Sequence, residues 1–293
     1  MKWKGRRRSS NVRDARSSRV GGGRASGAGI STLINFVLRT FGFKGILILA
    51  AVGIVGWQLG LINPAMLTGG APAQNTPYKP SAEEEARFQF VQVVLADTED
   101  IWNSEFARAG RDYREPTLVI YRGQTATKCG TGDARMGPFY CPADETIYID
   151  LGFYDDLAKQ FDAPGDFAQA YVIAHEIGHH VQRLLGLTSK VAARRGQPDY
   201  NQMSVRLELQ ADYLAGVWAR QNSQYLDSGD IDEAMRAANQ IGDDAIQRRT
   251  RGKVVPHAFT HGTSEQRMRW FNRGFNNGSL TGGDTFAIPY EQL

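Results

Sequence analysis

Apolar positions recur every three or four residues from residue 81 onward. Phe88, Val91, Val94, Leu95, Thr98, Ile101 and Trp102 fall on one side of a helix, so the pattern predicts one long amphipathic helix over residues 81 to about 109. Ser81 and Glu84 have capping-box spacing and mark its start. Asp97, Glu99 and Asp100 lie within it and are expected to form a solvated face, because acids one and two residues apart point in different directions. Two short β-branched runs, Thr117–Tyr121 and Thr146–Asp150, read as strands. Helical periodicity then returns over residues 166–185, with Gly186 as a C-cap, and again over 204–223. Residues 230 to about 247 read as a further helix, with Asp230 and Glu233 as a capping-type pair. Residues 263–273 follow, opened by Thr263 and Gln266 at capping-box spacing. The class these elements imply is α+β, mainly α, with a small sheet.

A different pattern occupies residues 45–62, which carry no charge and only Gln58 as a clearly polar side chain. At about 1.5 Å per residue this run covers roughly 27 Å, so it is expected to be a transmembrane helix, with residues 33–62 as the anchor region. A buried core helix is the other reading, but one of this length usually shows a polar stripe. Ala71-Pro72-Ala73 loosely fits a cleavage pattern, yet the apolar run is longer than a signal peptide needs and lies far from the start, which favours an anchor.

Charge divides the chain in the same place. Residues 1–44 hold eleven basic residues and one acid, Asp14, which leaves 23 basic against 30 acidic in the rest. The expected arrangement is a basic, disordered cytoplasmic tail (1–32), the anchor, a Pro- and Gly-rich linker (63–80) and a domain over 81–293. The positive-inside rule then makes it a single-pass protein of the cell inner membrane, with its domain periplasmic or extracellular. An acidic main domain gives no reason to expect a nucleic-acid partner.

The two cysteines, Cys129 and Cys141, lie between the predicted strands. In a domain outside the cytoplasm they are expected to pair as a disulfide. The competing reading makes Cys141 a thiolate metal ligand, which needs a reduced, unpaired thiol.

Chemistry concentrates in residues 166–185, where His175-Glu176-Ile177-Gly178-His179 is an H-E-x-x-H pattern inside a helix. Four-residue spacing puts both imidazoles on one side, a turn apart, where they can share a metal ion, and leaves Glu176 beside it. Zinc needs a third protein ligand if one position is to stay open. The extended metzincin pattern is excluded because Gln182 and Leu185 stand where Gly and His would be required. The helix over 204–223 instead offers Glu208 and Asp212 at one-turn spacing. Packed beside the first helix, Glu208 is the expected third ligand and Asp212 the expected partner of the distal nitrogen of a ligand histidine.

On these residues the chain resembles the bacterial YpfJ-like family of neutral zinc metallopeptidases. The resemblance is carried by Lys2-Trp3-Lys4-Gly5-Arg6-Arg7, Gly137-Pro138-Phe139-Tyr140-Cys141-Pro142, residues 175–180, residues 208–216, Ile241-Gly242-Asp243-Asp244 and residues 261–267. In its H-E-x-x-H plus Glu208 and Asp212 it is also similar to thermolysin-type gluzincins. The likeness implies a zincin-like metallopeptidase domain holding one Zn2+ on His175, His179 and Glu208. Glu176 would be the general base toward a zinc-activated water, and peptides or proteins the substrates. It also gives His261 the role of donating a hydrogen bond to a developing oxyanion, against a plain helix-capping or loop role. His180 and His257 are read as structural or exposed, and Asp243-Asp244 as structural or solvated. The strand Thr146–Asp150 is expected to offer an edge to an extended peptide. A catalytically inactive zincin domain used as a membrane-tethered scaffold is the alternative, and the intact ligand set with Glu176 speaks against it.

Overall fold

The computed structural model describes residues 1–18 and 78–293. Met1–Ser18 and Pro80–Leu293 together form one compact unit. Its sheet has four strands in the order β1-β2-β6-β5: β1 is Val12–Asp14, β2 Thr117–Tyr121, β5 Phe139–Cys141 and β6 Thr146–Asp150. β1 and β6 run parallel to β2, and β5 runs antiparallel to β6. β3 (Gln124–Thr127) and β4 (Gly130–Asp133) make a separate hairpin. Both predicted strands occur with their predicted bounds, because their side chains alternate between two covered faces. Leu118, Ile120, Ile147 and Ile149 enter the main core, while Val119, Tyr121 and Tyr148 form a smaller cluster with Cys141.

The helices are α1 (Ala82–Arg108), α2 (Phe153–Lys159), α3 (Asp166–Leu184), α4 (Leu187–Ala192), α5 (Tyr200–Gln221), α6 (Asp230–Gln240), α7 (Asp243–Arg251) and α8 (Ser264–Asn277). Ser81 caps α1 by accepting the Glu84 N–H at 3.1 Å, and Thr263 with Gln266 closes a full capping box on α8. The predicted helix over 230–247 is two helices instead. Gly242 breaks it with extended backbone and lies so close to Ser264 that a Cβ would meet Ser264 Oγ at 2.6 Å. Gly229, rather than Asp230, stands at the N-cap of α6.

Close approach of helices positions the site. Gly178 lies where α3 crosses α5, and an added methyl would meet Ala211 Cα at 3.0 Å. That contact brings the residues flanking Gly178 on α3 next to Glu208 and Asp212 on α5.

The amino-terminal segment corrects two expectations. Residues 1–18 are not a disordered tail: β1 adds to the domain's own sheet, with Asp14 opposite Ile120. The Met1 ammonium stands 3.0 Å from Asp166 and 3.3 Å from Asp230. Asp97 and Glu99 are not solvated either. They are buried against this segment, Asp97 by the Arg6 guanidinium and Glu99 by Arg7 and Ser9, while Asp100 stays exposed. Helical periodicity could not show this, because the covering residues lie some ninety positions away. The rest of the proposed tail, the anchor and most of the linker lie outside the described residues.

The expected transmembrane helix and single-pass placement are likewise overturned. Among the described residues no helix is long and apolar enough to cross a membrane. Moreover, a chain crossing once between residues 33 and 62 would leave β1 and β2 on opposite sides of the bilayer, whereas they are hydrogen-bonded neighbours.

Candidate metal centre

α3 carries His175 and His179 one turn apart, and α5 presents Glu208 to both. Glu208 Oε2 lies 3.2 Å from His175 Nε2, and Oε1 lies 3.5 Å from His179 Nε2. One donor atom from each of the three residues falls within 4.8 Å of the others. Donors around a tetrahedral zinc at ordinary bond lengths stand roughly 3.3 Å apart, so the spacing fits that ion.

The remaining imidazole nitrogens are also accounted for. His175 Nδ1 donates to Asp212 Oδ1 at 2.8 Å, and His179 Nδ1 donates to Gln182 Oε1 at 2.9 Å. With both Nδ1 atoms acting as donors, each neutral ring keeps its lone pair on Nε2, facing Glu208. The set therefore suits a divalent cation on the chemistry of its donors.

Asp212 is fully buried and heavily supported. Arg267 donates to it through Nε at 2.8 Å and through a terminal nitrogen at 3.0 Å, and Tyr171 donates its hydroxyl at 2.6 Å. Burial opposes its charge, but the Arg267 guanidinium and His175 hold its carboxyl down at about 2. Burial also works against a charged His175 and His179. Asp212 and Glu208 outweigh it at His175, and Glu208 outweighs it at His179, which is raised to about 9. Glu208 itself is held well below the usual carboxylate range, against its burial, by His179, His261 and His175.

Glu176 is buried beside His175 and His179, and burial pushes its carboxyl up against their opposing charges. It accepts the backbone N–H of Tyr140, on β5. Thus β5, the outer strand of the sheet, borders α3. The expectation that Thr146–Asp150 would offer an edge is corrected, since β6 is internal, between β2 and β5.

His261 lines the same cleft as His175, Glu176, His179 and Glu208. Asp243 Oδ2 accepts the backbone N–H groups of Thr260, His261 and Gly262 at 2.7, 2.6 and 3.0 Å, and Oδ1 lies 3.3 Å from His261 Nδ1. The Glu208 charge, aided by the Asp243 contacts, raises the pKa of His261, whose side chain is half-exposed. His180 faces away from the donor set: it donates from Nε2 to the Arg114 carbonyl and accepts the Tyr140 hydroxyl at Nδ1. His257 is exposed. Cys129 and Cys141 form a disulfide, which removes the thiolate reading.

Sequence reasoning missed Gln182, Tyr171 and Arg267. Gln182 and Tyr171 carry a findable signal, three residues after His179 and four before His175 on the same helix. Arg267 carries none locally, since it meets Asp212 across 55 positions.

Residues 1–286 match the family described as "Putative neutral zinc metallopeptidase". The chain belongs to this family. It is 47% identical over 293 residues to "Uncharacterized protein YpfJ" of Escherichia coli strain K12, covering 98% of this chain and 99% of that one. It is 42% identical over 212 residues to "Uncharacterized protein Mb2605" of Mycobacterium bovis, covering 68% of this chain and 72% of that one. No solved structure matches it. Membership in this zinc metallopeptidase family makes the chain a hydrolase of peptides or proteins that uses zinc, and the donor set on α3 and α5 agrees with that metal.

Proposed function

We propose that His175, His179 and Glu208 hold a single zinc ion, that Glu176 moves the protons of peptide hydrolysis, and that His261 stabilises charge on the scissile carbonyl. The observation that carries this reading is the convergence of two imidazole Nε2 atoms on Glu208, each ring fixed from behind by an acceptor at Nδ1. Zinc, when bound, supplies Lewis acidity that polarises a carbonyl and acidifies water.

The chain's own groups do the rest. Glu176 sits in the cleft next to the ligand histidines, and its raised pKa brings it nearer the working range of a group that accepts a proton from water and returns it to the departing amine. Asp243 engages His261 at Nδ1 and at its backbone, which leaves Nε2 as the donor for the carbonyl oxygen as it gains charge. Gly137, Pro138, Phe139 and Tyr140 line the cleft, so an extended peptide can lie along β5 as an added strand.

The test is Glu176→Gln, which keeps the size of the side chain and removes its basicity. The variant is expected to bind zinc as wild type does while losing at least about 100-fold in turnover of a peptide substrate. Unchanged turnover refutes Glu176 as the base.

A further inference from the structure

Gln182 is fully buried on α3, and its amide meets three groups at once. Nε2 lies 2.6 Å from the Leu207 carbonyl and 3.0 Å from Gln210 Oε1, while Oε1 lies 2.9 Å from His179 Nδ1. The far end of Gln210 is occupied as well, since its Nε2 reaches the Gly283 carbonyl at 3.1 Å. Gly283 packs so closely on α5 that an added Cβ would meet the Tyr213 ring at 2.3 Å.

An amide can be turned over to exchange its oxygen and nitrogen, so its neighbours decide which way it points. Both ends of this chain of contacts are backbone carbonyls, and a carbonyl only accepts. The Gly283 carbonyl requires the Gln210 nitrogen, which leaves the Gln210 oxygen for Gln182. That oxygen and the Leu207 carbonyl take both protons of the Gln182 amide, so only its oxygen is left for His179. An acceptor there keeps a proton on His179 Nδ1, and the neutral ring then has its lone pair on Nε2, the nitrogen 3.5 Å from Glu208 Oε1. Either amide turned over would set oxygen against oxygen in a buried place, where an unmade hydrogen bond is expensive. Leu207 also adjoins Glu208 on α5, so the same amide ties His179 to the helix that carries the acid.

We infer that Gln182, oriented by Gln210 and by the carbonyls of Leu207 and Gly283, is the positioning residue that fixes the tautomer and ring angle of His179. It is a neutral counterpart to Asp212, which holds His175 with a charge that Arg267 offsets. This inference rests on the zinc reading above and concerns how one of its ligands is held.

The experiment takes the full chain and measures zinc affinity by competition with a chelator and unfolding free energy in urea without metal. A long-range proton-to-nitrogen NMR spectrum of the zinc-loaded chain reports which nitrogen of each imidazole carries the proton. Gln182→Leu is expected to bind zinc about 10-fold to 100-fold more weakly, with the His179 Nδ1–H signal displaced and that of His175 unchanged. Gln182→Glu returns an acceptor to His179 without restoring the donors to Leu207 and Gln210. It is expected to recover most of the lost affinity while the unfolding free energy stays lowered. Gln210→Leu keeps the Leu207 anchor and is expected to lose less affinity than Gln182→Leu, again with the His179 signal displaced.

Wild-type zinc affinity in Gln182→Leu overturns the assignment and leaves the zinc site standing. So does a loss of affinity that follows the loss of unfolding free energy in Gln182→Leu and Gln182→Glu alike, since that assigns the effect to the orphaned Leu207 carbonyl. If Gln182→Leu does not fold, Gln210→Leu carries the test, and wild-type affinity with an unmoved His179 signal overturns the assignment. A folded wild-type chain that binds no zinc overturns both this inference and the reading it rests on.

Discussion

Asp212 is shared between His175 and Arg267: one oxygen lies 2.8 Å from His175 Nδ1 and the other 2.8 Å from Arg267 Nε. All three groups are buried, so the carboxylate both orients the His175 ring and neutralises a guanidinium that has left water. Asp212→Ala leaves Arg267 without its counter-charge. The expected result is a loss of about 3–5 kcal/mol in unfolding free energy, with zinc affinity down about 10-fold to 100-fold. Denaturant melts and chelator competition measure the two losses, and a variant with wild-type stability would contradict the shared role.

The state of His179 sets how zinc uptake depends on pH. Burial alone would lower its pKa, but the facing Glu208 raises it from 6.5 to about 9 in the metal-free chain. Because the folded value lies above the unfolded one, this pairing stabilises the metal-free fold fully below about pH 6.5 and less as pH rises through about 9. Zinc needs the neutral ring, so it must displace a proton at pH 7, and apparent affinity should climb with pH until about 9. Calorimetry in buffers of different ionisation enthalpy is expected to show at least about one proton released per zinc at pH 7. No release there would contradict the pairing.

The Cys129–Cys141 disulfide ties the β3-β4 hairpin to the last residue of β5, the strand whose Tyr140 amide meets Glu176. Replacing both cysteines by serine is expected to cost about 3 kcal/mol by the loop-closure relation. Turnover should fall while zinc content holds, because the strand bordering the cleft loosens and the ligands on α3 and α5 do not. Urea titration and zinc analysis read these separately, and zinc lost in step with turnover would argue against the link.

How much of this was legible in the sequence depended on how local each signal was. H-E-x-x-H, the strand pair 117–121 and 146–150, Ser81 and the Thr263–Gln266 box are patterns within a few residues of one another, and they appear where the spacing placed them. Glu208 and Asp212 were readable as a one-turn pair, and their register against α3 is set by the close crossing at Gly178. Other features depended on distant partners. Asp97 and Glu99 look like a wet helix face until Arg6, Arg7 and Ser9 cover them. Charge counting read those same arginines as a cytoplasmic tail, although their partners are acids of the folded domain. Gly242 lies against Ser264 where the helix breaks, and Arg267 reaches Asp212 from another helix, so neither contact has a signature in its own window.

The metal content of the full chain tests the central claim most directly, measured by elemental analysis beside His175→Ala and Glu208→Gln. The account predicts about one zinc per wild-type chain, the stoichiometry of a three-ligand site, with the metal lost or much weakened in both variants. A folded wild-type chain that takes up no zinc when supplied with it, or a Glu208→Gln variant that holds zinc as tightly as wild type, would contradict it.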